Sequence, residues 1–301
     1  MKTNSLRILF LGALALLVAA PSSFAQRQLG KKKGPVSKIY VADAEGDTTI
    51  QSGEKIYTAH QATAFDAPGT VIETKAGAHN AVVYSNGTAM YVDENTRVEI
   101  GRFNQESFQP RADGTMDSTY EPSMSQSDVY VPHGAVALCT SRLVSGSSMV
   151  YSTPLAGVNI RGGKVVIEAH PNETYVDLLE GDVTVHGGGK DVGGQVLRPG
   201  ERAVVRPSAV AGQPPTVTIQ PIPKEALKAD DDRTALACNA RKSVTFEALG
   251  RKNGEEGDKA EAAGAGTAGD DASDQVITIH PAVPDAPTQN ATVSADRMPG
   301  T

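Results

Sequence analysis

Six histidines, two cysteines and two glycine-rich runs are the residues through which this 301-residue chain could do chemistry. His60, His79, His133, His170, His186 and His280 are scattered. No two stand four apart and no HExxH occurs, so the spacing supports no metal site and no cofactor is expected. Cys139 and Cys238 have no CxxC neighbour and no zinc-type spacing, which argues against redox catalysis. They leave one intramolecular pairing, which an oxidising compartment would favour and which would close a loop of ~100 residues. Two separate buried thiols are the alternative. "HGGG" at 186–189 matches the oxyanion-hole run of some esterases, but that run works with a GxSxG nucleophile elbow, and the nearest candidate, "GSSMV" at 146–150, lacks the second glycine. "GGK" occurs twice, followed by Val165 and Asp191 where a phosphate-binding loop needs a hydroxyl residue for magnesium. The sequons at Asn86, Asn172 and Asn290 are read as chance matches. None of these patterns assembles into a catalytic site, and an enzyme is not expected.

The amino terminus indicates an address. Lys2 and Arg7 flank "ILFLGALALLVAA", and Ser23 and Ala25 occupy the small-residue positions of a signal-peptidase site. The apolar run is short of the ~20 residues a membrane span takes, so residues 1–25 are expected to be a cleaved signal peptide, an uncleaved anchor being the alternative. No later segment is apolar enough to cross a bilayer, and the mature chain is expected to be extracytoplasmic, periplasmic or secreted. Loss of Lys2 and Arg7 takes the net charge from −7 to −9. An acidic chain is a poor nucleic-acid ligand, because that affinity comes from Lys and Arg meeting phosphates. Residues 26–35 read as a basic linker, with Lys31, Lys32 and Lys33 as a solvated run.

The elements that would carry any site are strands. From 36 to 207, runs rich in Val, Ile, Thr and Tyr alternate with Gly, Pro, Asn and Asp punctuation, and no strong helical periodicity interrupts them. The clearest signal is "NAVVYSNGTAMYVDENT" at 80–96, hinged on Asn86-Gly87, which suits a two-residue turn with positive φ at both positions. That turn would set Tyr84 opposite Ala89, Val83 opposite Met90 and Val82 opposite Tyr91. Both faces of the ribbon would be apolar, so it should lie between other layers. Further strands are read at 97–100, 127–132, 135–140, 147–153 and 164–169, a hairpin turning at Glu180-Gly181 within 173–187, and a type II turn at Pro199-Gly200 within 195–205. Between Phe103 and Ser127 the chain is polar and irregular, a long excursion.

Composition shifts at 208. Residues 208–223 form a Pro-rich connector with an edge strand at 216–219, and 224–249 supply the helix, with Pro223 at its start and Asp230–Asp232 near an amino-terminal turn. Leu227 and Cys238, eleven residues apart, should share a helical face. A Cys139–Cys238 bond would staple that helix onto the β domain. Residues 250–301, acidic and rich in Gly and Ala, are expected to be disordered, with a β-prone island at 275–283.

Three ordered pieces resemble the FecR domain family: "GTVIETKAGAHNAVVYSNGTAMYVDENTRVEI", "STPLAGVNIRGGKVVIEA" and "VDLLEGDVTVHG…QVLRPGERAVV", together spanning about 43–207. Asn159 and Gly163 depart from the family's glycine before, and threonine after, the "IRG" that Ile160, Arg161 and Gly162 keep. The resemblance implies an all-β, layered sandwich- or roll-like domain, extracytoplasmic and non-catalytic, that meets a protein partner. In signalling members a cytoplasmic segment and a membrane-spanning helix precede the domain and reach a sigma factor. Here a signal peptide is expected instead, so the resemblance does not imply direct sigma-factor control. Arg161, with Gly162, is the candidate interaction residue, the alternative being an arginine that ties down its own turn by hydrogen bonds. Docking at a sheet edge or at the 103–127 excursion is the expected mode. A polysaccharide-binding or structural surface protein is the runner-up, weighed against by the absence of Trp and the few aromatics.

Overall fold

The computed structural model describes residues 37–61, 63–108, 119–188, 193–249 and 276–281, the last segment and 245–249 through their backbone alone. The expected signal peptide, the basic linker and the greater part of the expected disordered tail lie outside the described residues. So do residues 109–118 of the excursion and Gly189, Lys190 and Asp191.

Alternate side chains entering a shared apolar space define the strands. In chain order these are β1 (Lys38–Glu45), β2 (Thr48–Ser52), β3 (Lys55–Thr58), β4 (Ala64–Asp66), β5 (Thr70–Thr74), β6 (His79–Tyr84), β7 (Ala89–Val92), β8 (Arg97–Gln105) and β9 (Ser125–Thr140). There follow β10 (Ser148–Ser152), β11 (Gly157–Ala169), β12 (Thr174–His186), β13 (Gln195–Leu197), β14 (Glu201–Arg206), β15 (Thr216–Pro221), the helix α1 (Lys224–Lys242), β16 (Val244–Leu249) and β17 (Val276–Pro281). The protein is all-β with one described helix, as expected.

Three long strands join two layers. The order β3-β2-β5-β8 leads to the first half of β9, whose other edge pairs in parallel with β10. The order β4-β1-β6-β7 leads to its second half, whose other edge pairs with β11. β11 and β12 divide in the same way. Residues 157–160 and 182–186 extend the first layer toward β13, whereas 163–169 and 174–180 extend the second toward β14 and β15. The main core lies between the layers and includes Ile39, Val82, Tyr84, Met90, Leu138 and Ile160. A second cluster, with Tyr40, Val83, Tyr91, Ala137 and Val166, occupies the outer face of the second layer and is covered by Ala237 and Ala240 of α1.

Several sequence expectations need correction. The 80–96 hairpin does lie between two apolar layers, but its register is shifted by one residue: Val83 opposes Ala89, Val82 opposes Met90 and Ala81 opposes Tyr91. The turn is one residue longer than expected. Gly87 N donates to Tyr84 O, Tyr84 N donates to Thr88 O, and only Gly87 takes positive φ, at 84°. The buried amide of Asn86 is drawn into side-chain bonds, which favours this looped-out form, and a one-residue slip exchanges the faces. Val82, Tyr84, Met90 and Val92 therefore share the main core. The runs at 127–132 and 135–140 are one strand, β9. Glu180-Gly181 is not a turn: β12 runs through it, and the chain reverses at 170–173, where His170 N donates to Glu173 O. Pro199-Gly200 does turn, with Gly200 at φ 88°, but β13 and β14 both pair with β12 and not with each other.

The helix expected over 224–249 ends at Lys242, and the β-branched residues that follow form β16, paired with β17 in the expected β-prone island. Asp230–Asp232 fall in the body of α1. The helix buries Asp230, Thr234, Ala237, Ala240 and Arg241, a stripe at spacings of three and four. Leu227 lies on that side of the helix with Cys238, as the spacing required, but is 40 % exposed.

Candidate functional site: a corner built from four segments

The residues singled out along the sequence meet at one corner of the second layer. Cys139 opposes Ala89 on one side and Lys164 on the other, and Thr140 opposes Gly163. Thr88, just past the Asn86-Gly87 turn, meets Thr140 through their hydroxyls at 2.8 Å, while its backbone N–H donates to Asn86 Oδ1 at 3.0 Å. Asn86 Nδ2 donates to Ser125 Oγ at 3.0 Å, and Ser125 in turn donates to the buried Glu121 carboxylate at 2.5 Å. Glu121 also accepts from the backbone of Val144 at 2.9 Å. The turn is thus tied to β9 and to the segment that follows it.

Cys139 and Cys238 are bonded, with Cα atoms 5.2 Å apart. One turn further along α1, Arg241 donates to Ser141 Oγ, so the carboxyl end of the helix is held at the same corner. Between helix and sheet lies an open cleft of about 600 Å³ whose lining includes the disulfide, Gly163, Lys164, Glu180, Asp231 and Lys242.

Arg161 and Gly162 sit where β11 and β12 bend from one layer into the other. A Cβ on Gly162 would stand 2.9 Å from Arg142 Cα, and one on Gly163 would collide with the carbonyl of Glu180. Backbones can approach so closely only where side chains are missing. The Arg161 carbonyl accepts from Leu143 N at 2.9 Å, but its side chain is exposed and has no hydrogen bond or ion pair among the described residues. The alternative of an arginine tying down its own turn therefore finds no contact here. The turn depends on glycines.

Sequence reasoning missed the polar seam at the other end of the helix. Arg202 holds Asp177 through two parallel contacts, Nε to Oδ1 at 2.6 Å and Nη2 to Oδ2, and its guanidinium lies 4.6 Å from the centre of the Tyr175 ring. Arg233 of α1 reaches Asp93 at 2.7 Å and Glu168 at 2.5 Å. Asp230 is 0 % exposed, with Arg233 Nη1 at 3.7 Å, Arg202 Nη2 at 4.0 Å, and neither carboxylate oxygen accepting a hydrogen bond. Burial first, then Asp177 and Glu168 beside it, push its pKa up to about 8. The shift favours the protonated, neutral carboxyl of Asp230 beside Asp177. The "DDD" at 230–232 was the available signal, but only the helical phase shows which of the three is buried.

Among the described residues no group of three His, Cys, Asp or Glu is placed to hold a metal. His79 faces Asp43 and Glu45, His170 faces Glu168, and His186 meets Asn159, each in a different part of the sheet. No described helix is long and apolar enough to cross a membrane. β3 is an open sheet edge, with Ile56 69 % and Tyr57 40 % exposed.

Residues 70–184 match the family model described as FecR protein, a span that runs from the start of β5 nearly to the end of β12 and leaves α1 outside. The matched residues lie within the stretch of about 43–207 whose motifs resemble that family. No curated protein matches the chain. Two crystal structures of a candidate anti-sigma factor from Parabacteroides distasonis align with it at 17 % identity and a TM-score of 0.37. The alignments cover 53 % of this chain and 62 % and 63 % of theirs, so the chain spans less than two thirds of those proteins.

Proposed function

We propose that this chain is a non-catalytic, exported interaction module of FecR type that engages a protein partner at the corner built around Arg161. The observation that carries the reading is the Arg161 side chain itself. It stands exposed, without a partner among the described residues, on a backbone whose Gly162 packs against Arg142 and whose Gly163 meets Gly181 across the strand pair, inside the FecR-matched segment. An arginine that does nothing for its own fold is available to a ligand, and a fixed backbone lowers the entropy cost of docking. Export rests on the leader-like residues 1–25. The partner role rests on the family match.

The test is a pull-down from envelope and culture fractions with the tagged mature chain, beginning at Gln26, run beside a glycan-binding screen. A protein retained by the wild type and lost from Arg161→Ala, with an unchanged melting temperature, is the expected outcome. Glycan binding with no protein partner would transfer the role to the polysaccharide reading. A partner held equally by Arg161→Ala would move the contact elsewhere, with the open β3 edge next to be tested.

A further inference from the structure

Arg161 does not stand by itself. Leu143 N donates to Arg161 O, and Gly162 packs against Arg142 Cα, so Arg142 and Arg161 lie side by side on neighbouring segments. Leu143 and Ile160, next to them in sequence, enter the main core, which turns both arginines outward. Both are exposed, and neither has a hydrogen bond or ion pair from its side chain among the described residues. Arg102 and Arg198 are likewise exposed without a side-chain partner among the described residues, while the other described arginines are held. Arg97 reaches Glu73 and Glu99, Arg202 reaches Asp177, Arg206 reaches Glu173, and Arg233 reaches Asp93 and Glu168.

The cleft, lined by Thr140 and Gly163 two residues from Arg142 and from Arg161, brings three more cations: Lys164, Arg241 and Lys242. The neighbouring anions are Glu180, already 3.1 Å from Lys164, with Asp231 at the cleft, Asp182 opposite Gly162, and the buried Glu121, whose backbone N–H donates to Arg142 O. Five cations against four anions leave an excess of one positive charge, on a chain whose net charge is −7. Adjacent guanidinium groups repel each other, and the arrangement becomes favourable when carboxylates lie between them, each able to take two parallel N–H bonds.

We infer that the corner formed by Arg142, Arg161 and the cleft from Lys164 to Lys242 binds an acidic segment of the protein partner, an extended stretch presenting at least two carboxylates. This rests on the interaction reading above and adds the chemistry of the ligand. Because the surface is exposed, the attraction is screened by salt and acts on specificity and encounter more than on ultimate affinity.

The test uses the mature full chain and three labelled synthetic peptides of equal length, alternating Thr with Glu, Gln or Lys. The Glu peptide is expected to bind ~10-fold or more tightly than the Gln peptide, with an affinity that falls as salt rises. Arg142→Glu with Arg161→Glu should abolish the preference, and the neutral pair Arg142→Gln with Arg161→Gln should reduce it without lowering the melting temperature. Arg102→Glu, an exposed position on β8, should leave it intact. Equal binding of Glu and Gln peptides, or a preference that survives the double reversal, overturns the inference. So does preferential binding of polygalacturonate, which would assign the corner to an acidic glycan. If the pull-down still yields a partner when the Glu peptide fails, the interaction reading stands and only the acidic chemistry falls. If no partner is retained and the peptide also fails, both fall.

Discussion

At Gly163 the backbone has φ 117°, and the carbonyl of Glu180 fills the space a Cβ would need. Gly181, across the pair, meets the carbonyl of Gly162 in the same way. These residues let two strands cross from one layer to the other between two register shifts, which leave Arg161 and Leu179 without a partner in the ladder. Gly163→Ala adds a steric clash to a disfavoured φ, and its expected cost is on the order of 3 kcal/mol. Urea unfolding followed by far-UV circular dichroism measures it, and a change within a few tenths of a kcal/mol would show that the bend relaxes freely. In the sequence the "RGGK" run invited a phosphate-loop reading, which the missing hydroxyl residue excluded. What the glycines are for became visible only with the partner strand in place. Arg142 offered no signal of its own, since its neighbour Arg161 is nineteen residues distant.

The helix is attached in an unusual balance, with alanines as its chief apolar contribution and charged groups along its buried stripe. Asp230 makes that attachment depend on pH. Its folded pKa of about 8 lies above its ordinary value of 3.8, so the folded state holds the proton more tightly. The stabilisation this represents is complete below the ordinary value and is lost as pH rises through the folded one. Arg202 and Arg233 oppose the shift from the cationic side, while Asp177 and Glu168 reinforce it. Asp230→Asn keeps a neutral donor toward Asp177, so its melting temperature relative to wild type should rise between about pH 4 and about pH 8. A constant difference across that range would count against a protonated Asp230. At the other end, the bond between Cys139 and Cys238 spans a sequence separation of 99. Replacing both with serine should cost about 2–4 kcal/mol, below the ~4.7 kcal/mol that chain entropy allows a loop of ~100 residues. Hydrogen exchange should show the α1 amides opening first while β9 and β11 stay protected. Uniform loss of protection would mean that helix and sheet unfold as one unit.

For the molecule as a whole, alternating Val, Ile and Tyr runs with Gly and Pro between them determined that the chain would be a layered all-β protein, that the ribbon hinged on Asn86-Gly87 would be buried on both faces, and that one helix would follow. Those are properties of local pattern, because strand periodicity and turn preference act over a few residues. The ordered motifs likewise marked out the stretch that holds residues 70–184, which the FecR family model matches. Register, strand continuity and the site were decided by the tertiary structure. Asn86 loops out because Ser125 and Glu121 are there to bind it, and the slip puts Met90 on the same face as Val82 and Tyr84. β9 and β12 run unbroken because each half finds partners in a different layer. Arg142 and Arg161 become neighbours because Gly162 lets the backbone after Arg161 approach that of Arg142, and the helix takes its phase from a disulfide and a buried acid pair. All of these are contacts between residues far apart in the chain, whose energies exist only after the segments have met.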